Sequence, residues 1–88
     1  MTRVPEQIKL HPHARQRLVE RGVTESEVSA AVSEGETFSA KFGRAGFRRN
    51  FAFDGFWQGR RYGTKQVETF AVREPNGWLV ITVIAKYF

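Results

Sequence analysis

The sequence predicts an α+β domain in which two N-terminal helices pack on a twisted antiparallel sheet of three to four strands. Helical periodicity with start and stop signals occupies the chain before Glu36. Beyond Glu36, aromatic and β-branched residues alternate with turn residues, as in strands. A chain of 88 residues supports one hydrophobic core, so the prediction is a single domain spanning residues 1–88.

The N-terminal part begins with weak alternation over 7–10, which predicts a short strand. A helix follows, because Pro12 fits the first helical position, where its missing N–H costs nothing. Gly22 supplies a left-handed stop. Ala14 and Leu18 are spaced to face inward.

A second helix is predicted directly after the first. Thr24 and Glu27 form a capping box, in which each side chain satisfies a free backbone N–H at the helix start. Gly35 ends the helix. The buried stripe is formed by Val28, Ala31 and Val32.

The remainder is predicted as strands separated by loops at 43–46 and 54–55, with long strands over 60–73 and 78–88. The sequence Glu-Pro-Asn-Gly at 74–77 predicts a type I turn followed by a glycine bulge, so that Glu74 pairs with Trp78. In that register one face carries Leu79, Ile81, Val83, Ala85 and Tyr87 with Val67 and Ala71, and faces the helices. The opposite face is polar and carries Gln66, Glu68, Thr82 and Lys86, with Tyr62 at the strand's start.

The basic residues are unevenly distributed along the chain. The formal net charge is +5, and the whole excess lies in the stretch 41–65, where Asp54 is the only acidic residue. This segment, the basic stretch, contains Lys41, Arg44, Arg48, Arg49, Arg60, Arg61 and Lys65. A polyanion, and RNA above all, is the natural partner of such a segment. The alternative is a solvated basic face without a function.

Composition excludes several classes of function. Without cysteine there are no disulfides or thiolate metal sites, and two histidines without an acidic cluster do not predict zinc or a catalytic metal. Neither a phosphate-binding loop nor a dinucleotide fingerprint is present, so no cofactor is expected. The chain lacks an apolar leader and a membrane-spanning run, which favours a cytoplasmic protein without membrane contact.

The remaining residues suit metal-free cleavage of RNA. That reaction needs a base for the 2′-hydroxyl, an acid for the leaving 5′-oxygen and cations for the charge that builds on phosphorus. Proton-transfer candidates are Tyr62, Lys65 and His13, and Arg49 would stabilise charge. The predicted RNA contacts are Lys41, Arg44, Arg48, Trp57, Gln58, Arg60, Arg61 and Lys86.

Each candidate has a structural alternative. His13 would lie in the first helical turn, where the helix dipole favours neutral imidazole, but it would equally serve as a hydrogen-bonding anchor. Lys86 would equally extend its stem along a sheet edge. Most phenylalanines are expected in the core, whereas Trp57 and Tyr62 are expected at the surface, where rings stack on unpaired bases.

Two segments resemble a family. The segment HARQRLVERGVTESEV at 13–28 contains His-Ala-x-x-Arg and then Glu-Arg-Gly, and it resembles the opening of a large group of small bacterial domains of unknown function. The final WLVITVIAKYF resembles the closing strand of the same group. The resemblance implies a fold near the RelE-like and barnase-like ribonucleases, with helices on an antiparallel sheet.

A second resemblance is to the MqsR type of messenger-RNA-cleaving toxin. The segment PHAR at 12–15 is similar to that family's Pro-His-x-Arg, and FWQGRRY at 56–62 is similar to its Trp-Gln-x-x-Tyr with one extra residue. The resemblance implies active-site roles for Gln58, Tyr62 and Lys65, with Arg48 or Arg49 in place of a lysine.

The leading hypothesis is therefore a metal-independent endoribonuclease toxin of a toxin–antitoxin system. It would cleave messenger RNA, free or on the ribosome, and a cognate antitoxin protein would inhibit it. Two alternatives remain open: a non-catalytic RNA-binding or ribosome-associated module, and a protein-interaction domain whose basic surface meets an acidic partner.

Overall fold

The computed structural model describes residues 7–88, which form two helices and a five-stranded mixed sheet. The elements are β1 (Gln7–Leu10), α1 (Pro12–Arg21), α2 (Glu25–Glu34), β2 (Glu36–Ser39), β3 (Ala45–Trp57), β4 (Arg60–Glu74) and β5 (Gly77–Tyr87). The strand order is β1-β5-β4-β3-β2. The strand β1 runs parallel to β5, and the other pairs are antiparallel.

The predicted fold class is wrong in its sheet. The sequence predicted an antiparallel sheet of three to four strands, but the sheet has five, and its β1–β5 edge is parallel. The predicted strand at Gln7–Leu10 is present. Its partner, Gly77–Val80, is remote in sequence, so no local sequence pattern predicts the pairing. The pairing requires glycine at position 77, because a Cβ there would collide with the backbone of Gln7.

Both helices begin and end where the sequence predicts. Pro12 is in the first turn of α1, and Gly22 ends α1 in the left-handed conformation at φ 66°. Thr24 and Glu27 form the reciprocal capping box of α2. Each helix has ten residues, and within residues 7–88 no helix has the length and apolar character needed to cross a membrane.

The loops predicted at 43–46 and 54–55 are only partly correct. The first loop ends at Arg44, so Gly46 lies inside β3. At the second position β3 continues through a bulge, and the register with β4 shifts between Ala52 and Gly55. Asp54 takes a positive φ of 43° there, which a short polar side chain tolerates. The polar signal that predicted a loop therefore marks a bulge in one long strand.

The predicted register of the last hairpin is wrong at its turn and correct beyond it. Glu74 pairs with Gly77, and Arg73 with Trp78, one residue from the prediction. A bulge then inserts one extra residue in β5, since Ala71 pairs with Val80 but Phe70 with Thr82. Val67 consequently pairs with Ala85, as predicted. Of the predicted inward residues, Leu79 and Ile81 are only half-buried, and Val80 is fully buried instead.

The core lies between the two helices and one face of the sheet. It contains Ala14, Leu18, Val23, Val28, Ala31, Phe47, Val67, Ala71, Val80 and Val83. The expectation that most phenylalanines are buried is wrong, since Phe47 alone is fully buried and Phe42, Phe56 and Phe88 are exposed. The reason is length: a ten-residue helix spans about 15 Å, whereas β4 has 15 residues and extends well beyond it.

Candidate functional site

The predicted site residues lie on two opposite faces of the sheet. One face is covered by α1 and α2 and contains Lys65 in line with Val67. The other face, here called the open face, is not covered by any helix of the described residues. Its paired positions alternate with those of the core and comprise Glu36, Phe38, Arg48, Asn50, Gln66, Glu68, Phe70, Thr82, Ile84 and Lys86. The predicted polar face of β4 and β5 forms the centre of the open face.

A buried carboxylate lies between two cations on the open face. Glu68 Oε2 accepts hydrogen bonds from Arg48 Nη2 at 2.8 Å and Nε at 3.2 Å. Glu68 Oε1 lies 3.1 Å from Lys86 Nζ. The Glu68 side chain is 7% exposed, whereas that of Lys86 is 59% exposed. These three residues, from three adjacent strands, are called the Glu68 cluster.

Glu36 extends the Glu68 cluster to the edge strand. Its carboxylate lies 3.6 Å from Arg48 Nη1 and is 73% exposed. Arg48 therefore contacts two carboxylates, one buried and one in solvent. The guanidinium also lies over the ring of Phe38, 4.4 Å from its centroid. These contacts fix the position of Arg48 on the open face.

Two opposing effects act on Glu68. Burial acts to raise the pKa of its carboxyl, because the charged form is poorly solvated. The hydrogen bonds and positive charges of Arg48 and Lys86 outweigh burial and hold the pKa of Glu68 below its ordinary value. Glu68 is consequently a carboxylate at neutral pH.

A groove adjoins the Glu68 cluster on the open face. It has a volume of about 400 Å³ and lies between strands β4 and β5 and the segment 39–44, which begins at the last residue of β2. Phe70, Thr82 and Ile84 line the strand side, and Lys41, Phe42 and Arg44 line the loop side. Phe42 is 86% exposed, with the Arg44 guanidinium 5.9 Å from its ring centroid. The groove is thus largely apolar and bordered by two cations.

Lys65 lies under the helices. Its Nζ donates to Gly22 O at 2.7 Å and lies 2.7 Å from Glu27 Oε1. Its side chain is only 5% exposed. Lys65 thus joins β4 to Gly22, in the link between α1 and α2. Its buried charge is neutralised by Glu27. Its predicted role in catalysis stays a prediction, and this geometry gives it a structural role as well.

Four aromatic rings gather beside Lys65. Trp57 stacks on Tyr87 at 4.9 Å between ring centroids, and Phe53 and Tyr62 lie 5.2 and 5.7 Å from the same ring. Trp57 and Tyr62, which were expected at the surface, are each half-buried against Tyr87. Burial, followed by the charge of Glu27, raises the pKa of the Tyr87 hydroxyl, which donates to the backbone oxygen of Arg21.

Gly22 connects the aromatic rings to the helices. Its positive φ reverses the chain between α1 and α2. A Cβ at this position would also collide with the Trp57 ring and lie about 3.0 Å from the Tyr87 hydroxyl. The glycine in the Glu-Arg-Gly segment is thus required by its backbone conformation and by the close packing of Trp57.

The other predicted residues are spread over the molecule. His13 is exposed in the first turn of α1, in the helix layer. Arg49 pairs with Glu34 at 2.6 Å, at the end of α2. Gln58, Arg60 and Arg61 lie at the exposed tip of the β3–β4 hairpin, where Arg61 pairs with Asp54. The structure therefore brings Tyr62 and Lys65 to the same ring, that of Tyr87, and brings Arg48 and Lys86 to Glu68, but it does not gather all candidates at one site.

Ion pairing divides the basic stretch into two kinds of cation. Arg48, Arg49, Arg61 and Lys65 each lie against a carboxylate. Within residues 7–88, Lys41, Arg44 and Arg60 form no ion pair. Two of these unpaired cations border the groove, so the strongest unbalanced positive charge of the basic stretch lies on that side of the open face.

Sequence reasoning placed Glu68 on a polar face but did not assign it to the site. A signal existed, since a single acidic residue in an apolar strand, Val-Glu-Thr-Phe at 67–70, implies a partner. Its partner Arg48 comes from another strand, so the cluster depends on the β3–β4 register. Among residues 7–88 there is no group of three or more His, Asp or Glu side chains arranged to hold a metal ion.

Comparison with known proteins gives one family. A family model described as a domain of unknown function, DUF4258, matches residues 10–85. No curated protein and no solved structure matches the chain. The matched range begins at the end of β1 and stops two residues before the end of β5, so it includes both helices and the open face except for Lys86. The chain belongs to the DUF4258 family of domains of unknown function.

Proposed function

We propose that this protein is a metal-independent endoribonuclease toxin that binds single-stranded messenger RNA on the open face of its sheet. The observation that supports this most is the joint presence, on one uncovered sheet face, of cations, an exposed aromatic ring and a groove. Single-stranded RNA is bound by cations that follow its backbone and by aromatic side chains that stack on its bases. The cations on this face are Arg48, Lys86, Lys41 and Arg44, and the exposed ring is that of Phe42.

The toxin part of the proposal is supported by sequence. The segments at 12–15 and 56–62 resemble those of MqsR-type toxins, which cleave messenger RNA. A cognate antitoxin would cover the open face, because that face carries the exposed cations and the apolar groove. The hairpin tip, with Arg60 unpaired, is a second contact for the RNA backbone.

A matched pair of double variants tests RNA binding by the open face. Lys41→Gln with Arg44→Gln removes the two unpaired cations at the groove. Arg15→Gln with Arg17→Gln removes the same charge from α1, in the helix layer, where both arginines pair with glutamates. Binding of a mixed-sequence single-stranded RNA is measured by fluorescence anisotropy over a range of salt concentrations. The groove variant is expected to lower the slope of log affinity against log salt by about 0.7 for each lost phosphate contact.

Expression and cleavage test the toxin proposal. Expression of the full chain in bacteria is expected to arrest growth, and the purified chain is expected to cut single-stranded RNA in the presence of a chelator. Salt-sensitive binding without cleavage or growth arrest would replace the proposal with a non-catalytic RNA-binding module. The absence of RNA binding, or an equal effect of the two double variants, would refute the open face as an RNA site.

A further inference from the structure

We infer that Glu68 is the general base of an RNA-cleaving site on the open face, with Arg48 and Lys86 holding the scissile phosphate and the adjoining groove holding a nucleobase. This inference rests on the proposed function and assigns its chemistry to residues. It differs from the roles predicted for Lys65, which lies on the helix-covered side, and for Tyr62, whose ring lies against Tyr87. The reacting groups would instead be side chains of β3, β4 and β5.

The energetics of Glu68 are unfavourable for a surface that only binds phosphate. A carboxylate in that position repels the ligand and occupies the two cations that would hold it. Burying the charge also costs solvation free energy, which an ion pair repays only in part. An apolar residue would pack on the neighbouring Phe70 and Ile84 without this cost. A proton acceptor beside a phosphate, in contrast, is what cleavage of RNA requires.

The spacing between the groove and Glu68 fits one nucleotide. Phe70 lines the groove and is two residues from Glu68 on β4, which places the two side chains on the same face about 7 Å apart. Ile84, directly opposite Glu68, also lines the groove. A volume of about 400 Å³ accommodates a planar ring system between apolar walls. A base in the groove therefore directs its ribose and phosphate toward the Glu68 cluster.

The unpaired cations favour RNA as the occupant of the groove. Lys41 and Arg44 border it without carboxylate partners in the described part of the chain. They complement the phosphates on either side of the bound base, while Phe42 offers a ring face to a neighbouring base. The occupant is thus a nucleotide of a single strand, because a paired base cannot leave its helix without additional free energy.

The reaction needs no further reactant. Glu68 takes the proton of the ribose 2′-hydroxyl, and the 2′-oxygen forms a bond to phosphorus while the bond to the 5′-oxygen breaks. The Lys86 ammonium gives its proton to the departing 5′-oxygen, and Arg48 neutralises the non-bridging oxygens. The proton on Glu68 then returns to Lys86, whose Nζ lies 3.1 Å from Glu68 Oε1. The products are a 2′,3′-cyclic phosphate and a 5′-hydroxyl.

Substrate binding would itself make Glu68 more basic. In the free protein, hydrogen bonds from Arg48 and Lys86 hold the pKa of Glu68 low against the effect of burial. A phosphate that shares these two cations weakens their effect on Glu68. Burial and the negative charge of the phosphate then both act to raise the pKa of Glu68, so the carboxylate accepts a proton more readily when RNA is bound.

Glu68→Gln is compared with Glu25→Gln as its matched control. Both variants neutralise a carboxylate that pairs with an arginine, but Glu25 is exposed and pairs with Arg15 at 2.9 Å in the helix layer. Cleavage of single-stranded RNA, binding of the same RNA and thermal unfolding are measured for the full chain. Glu68→Gln is expected to slow cleavage about 100-fold or more with binding retained, in the range typical of a lost general base. Glu25→Gln is expected to leave the rate within about threefold of the wild type, because Glu25 belongs to α2 on the other side of the sheet from the open face.

The outcomes separate this inference from the proposed function. Cleavage by Glu68→Gln at the wild-type rate would overturn the role of Glu68 and leave the endoribonuclease intact. Binding without cleavage by the wild type would overturn both the endoribonuclease and the role of Glu68. If Glu68→Gln does not fold, the wild type decides: its rate should rise with pH along an acid limb, and RNA with a 2′-deoxyribose at the cleaved position should stay intact. A flat acid limb, or cleavage of the deoxy substrate, would overturn the inference.

Discussion

Replacing Lys65 with methionine should destabilise the fold strongly, because the change removes a buried charge and retains an apolar stem of similar length. The Lys65 ammonium has two partners, the Glu27 carboxylate and the Gly22 carbonyl, both at 2.7 Å. Without it, Glu27 keeps a negative charge in a site where its side chain is only 20% exposed. We therefore expect the free energy of unfolding to fall.

The magnitude follows from the geometry of the pair. Removing one partner of a buried ion pair costs about 3–5 kcal/mol. Glu27 keeps its hydrogen bond from the Thr24 backbone N–H, so the lower end of that range, about 3 kcal/mol, applies. Lys65→Ala also removes three buried methylenes at about 0.8 kcal/mol each, which adds about 2 kcal/mol. A small domain stable by about 5 kcal/mol would then scarcely fold.

Urea unfolding followed by tryptophan fluorescence measures the effect, since Trp57 stacks on Tyr87 beside Lys65. Arg49→Met is the control: its ion pair with Glu34 has a similar length, 2.6 Å, but lies at the surface. That change should cost less than about 1 kcal/mol. A loss below about 1 kcal/mol for Lys65→Met would refute the reasoning. A stable Lys65→Met protein that no longer cleaves RNA would favour the predicted catalytic role of Lys65.

Three further predictions concern other positions. Gly22→Ala should lower the unfolding free energy by at least about 1–2 kcal/mol, the cost of a left-handed residue with a side chain, and calorimetry with fluorescence should show Trp57 displaced. The pKa of Glu68 is lower in the folded state than in the unfolded state, so the Glu68 carboxylate stabilises the fold. This stabilisation is complete above the unfolded-state pKa of about 4.3 and is lost as the pH falls through the folded-state pKa. The acid unfolding curve of Glu68→Gln should therefore lack it. Phe42→Ser should leave thermal stability unchanged, because the ring is 86% exposed, and should weaken single-stranded RNA binding by about 1–3 kcal/mol in a titration; equal binding would exclude stacking on Phe42.

Local signals were sufficient to predict the helices. Pro12 and the Thr24–Glu27 capping box determine where a helix begins through contacts within one turn, and these contacts are visible in the sequence. Gly22 likewise ends α1 through its own backbone conformation. Such features need no knowledge of the rest of the chain, and each lies where it was predicted.

The sheet was harder to predict, because strand pairing and register depend on contacts between residues that are distant in sequence. The parallel partner of Gln7–Leu10 lies at Gly77–Val80, and the extra residue at Ile81 compensates for a turn one residue tighter than predicted. Glu68 was correctly placed on the polar face since that compensation restores the register. Its cation Arg48 could be found only from the pairing of β3 with β4. The two faces of the basic stretch, with Arg48 on one and Arg49 on the other, depend on the same pairing.

The parallel edge of the sheet also affects the order in which the protein can form. The strand β1 is made early during synthesis, but its partner Gly77–Val80 emerges about 70 residues later. Closing so long a loop is slow compared with forming the helices and the β3–β4 hairpin. The edge strand should therefore dock last, after the remaining sheet exists.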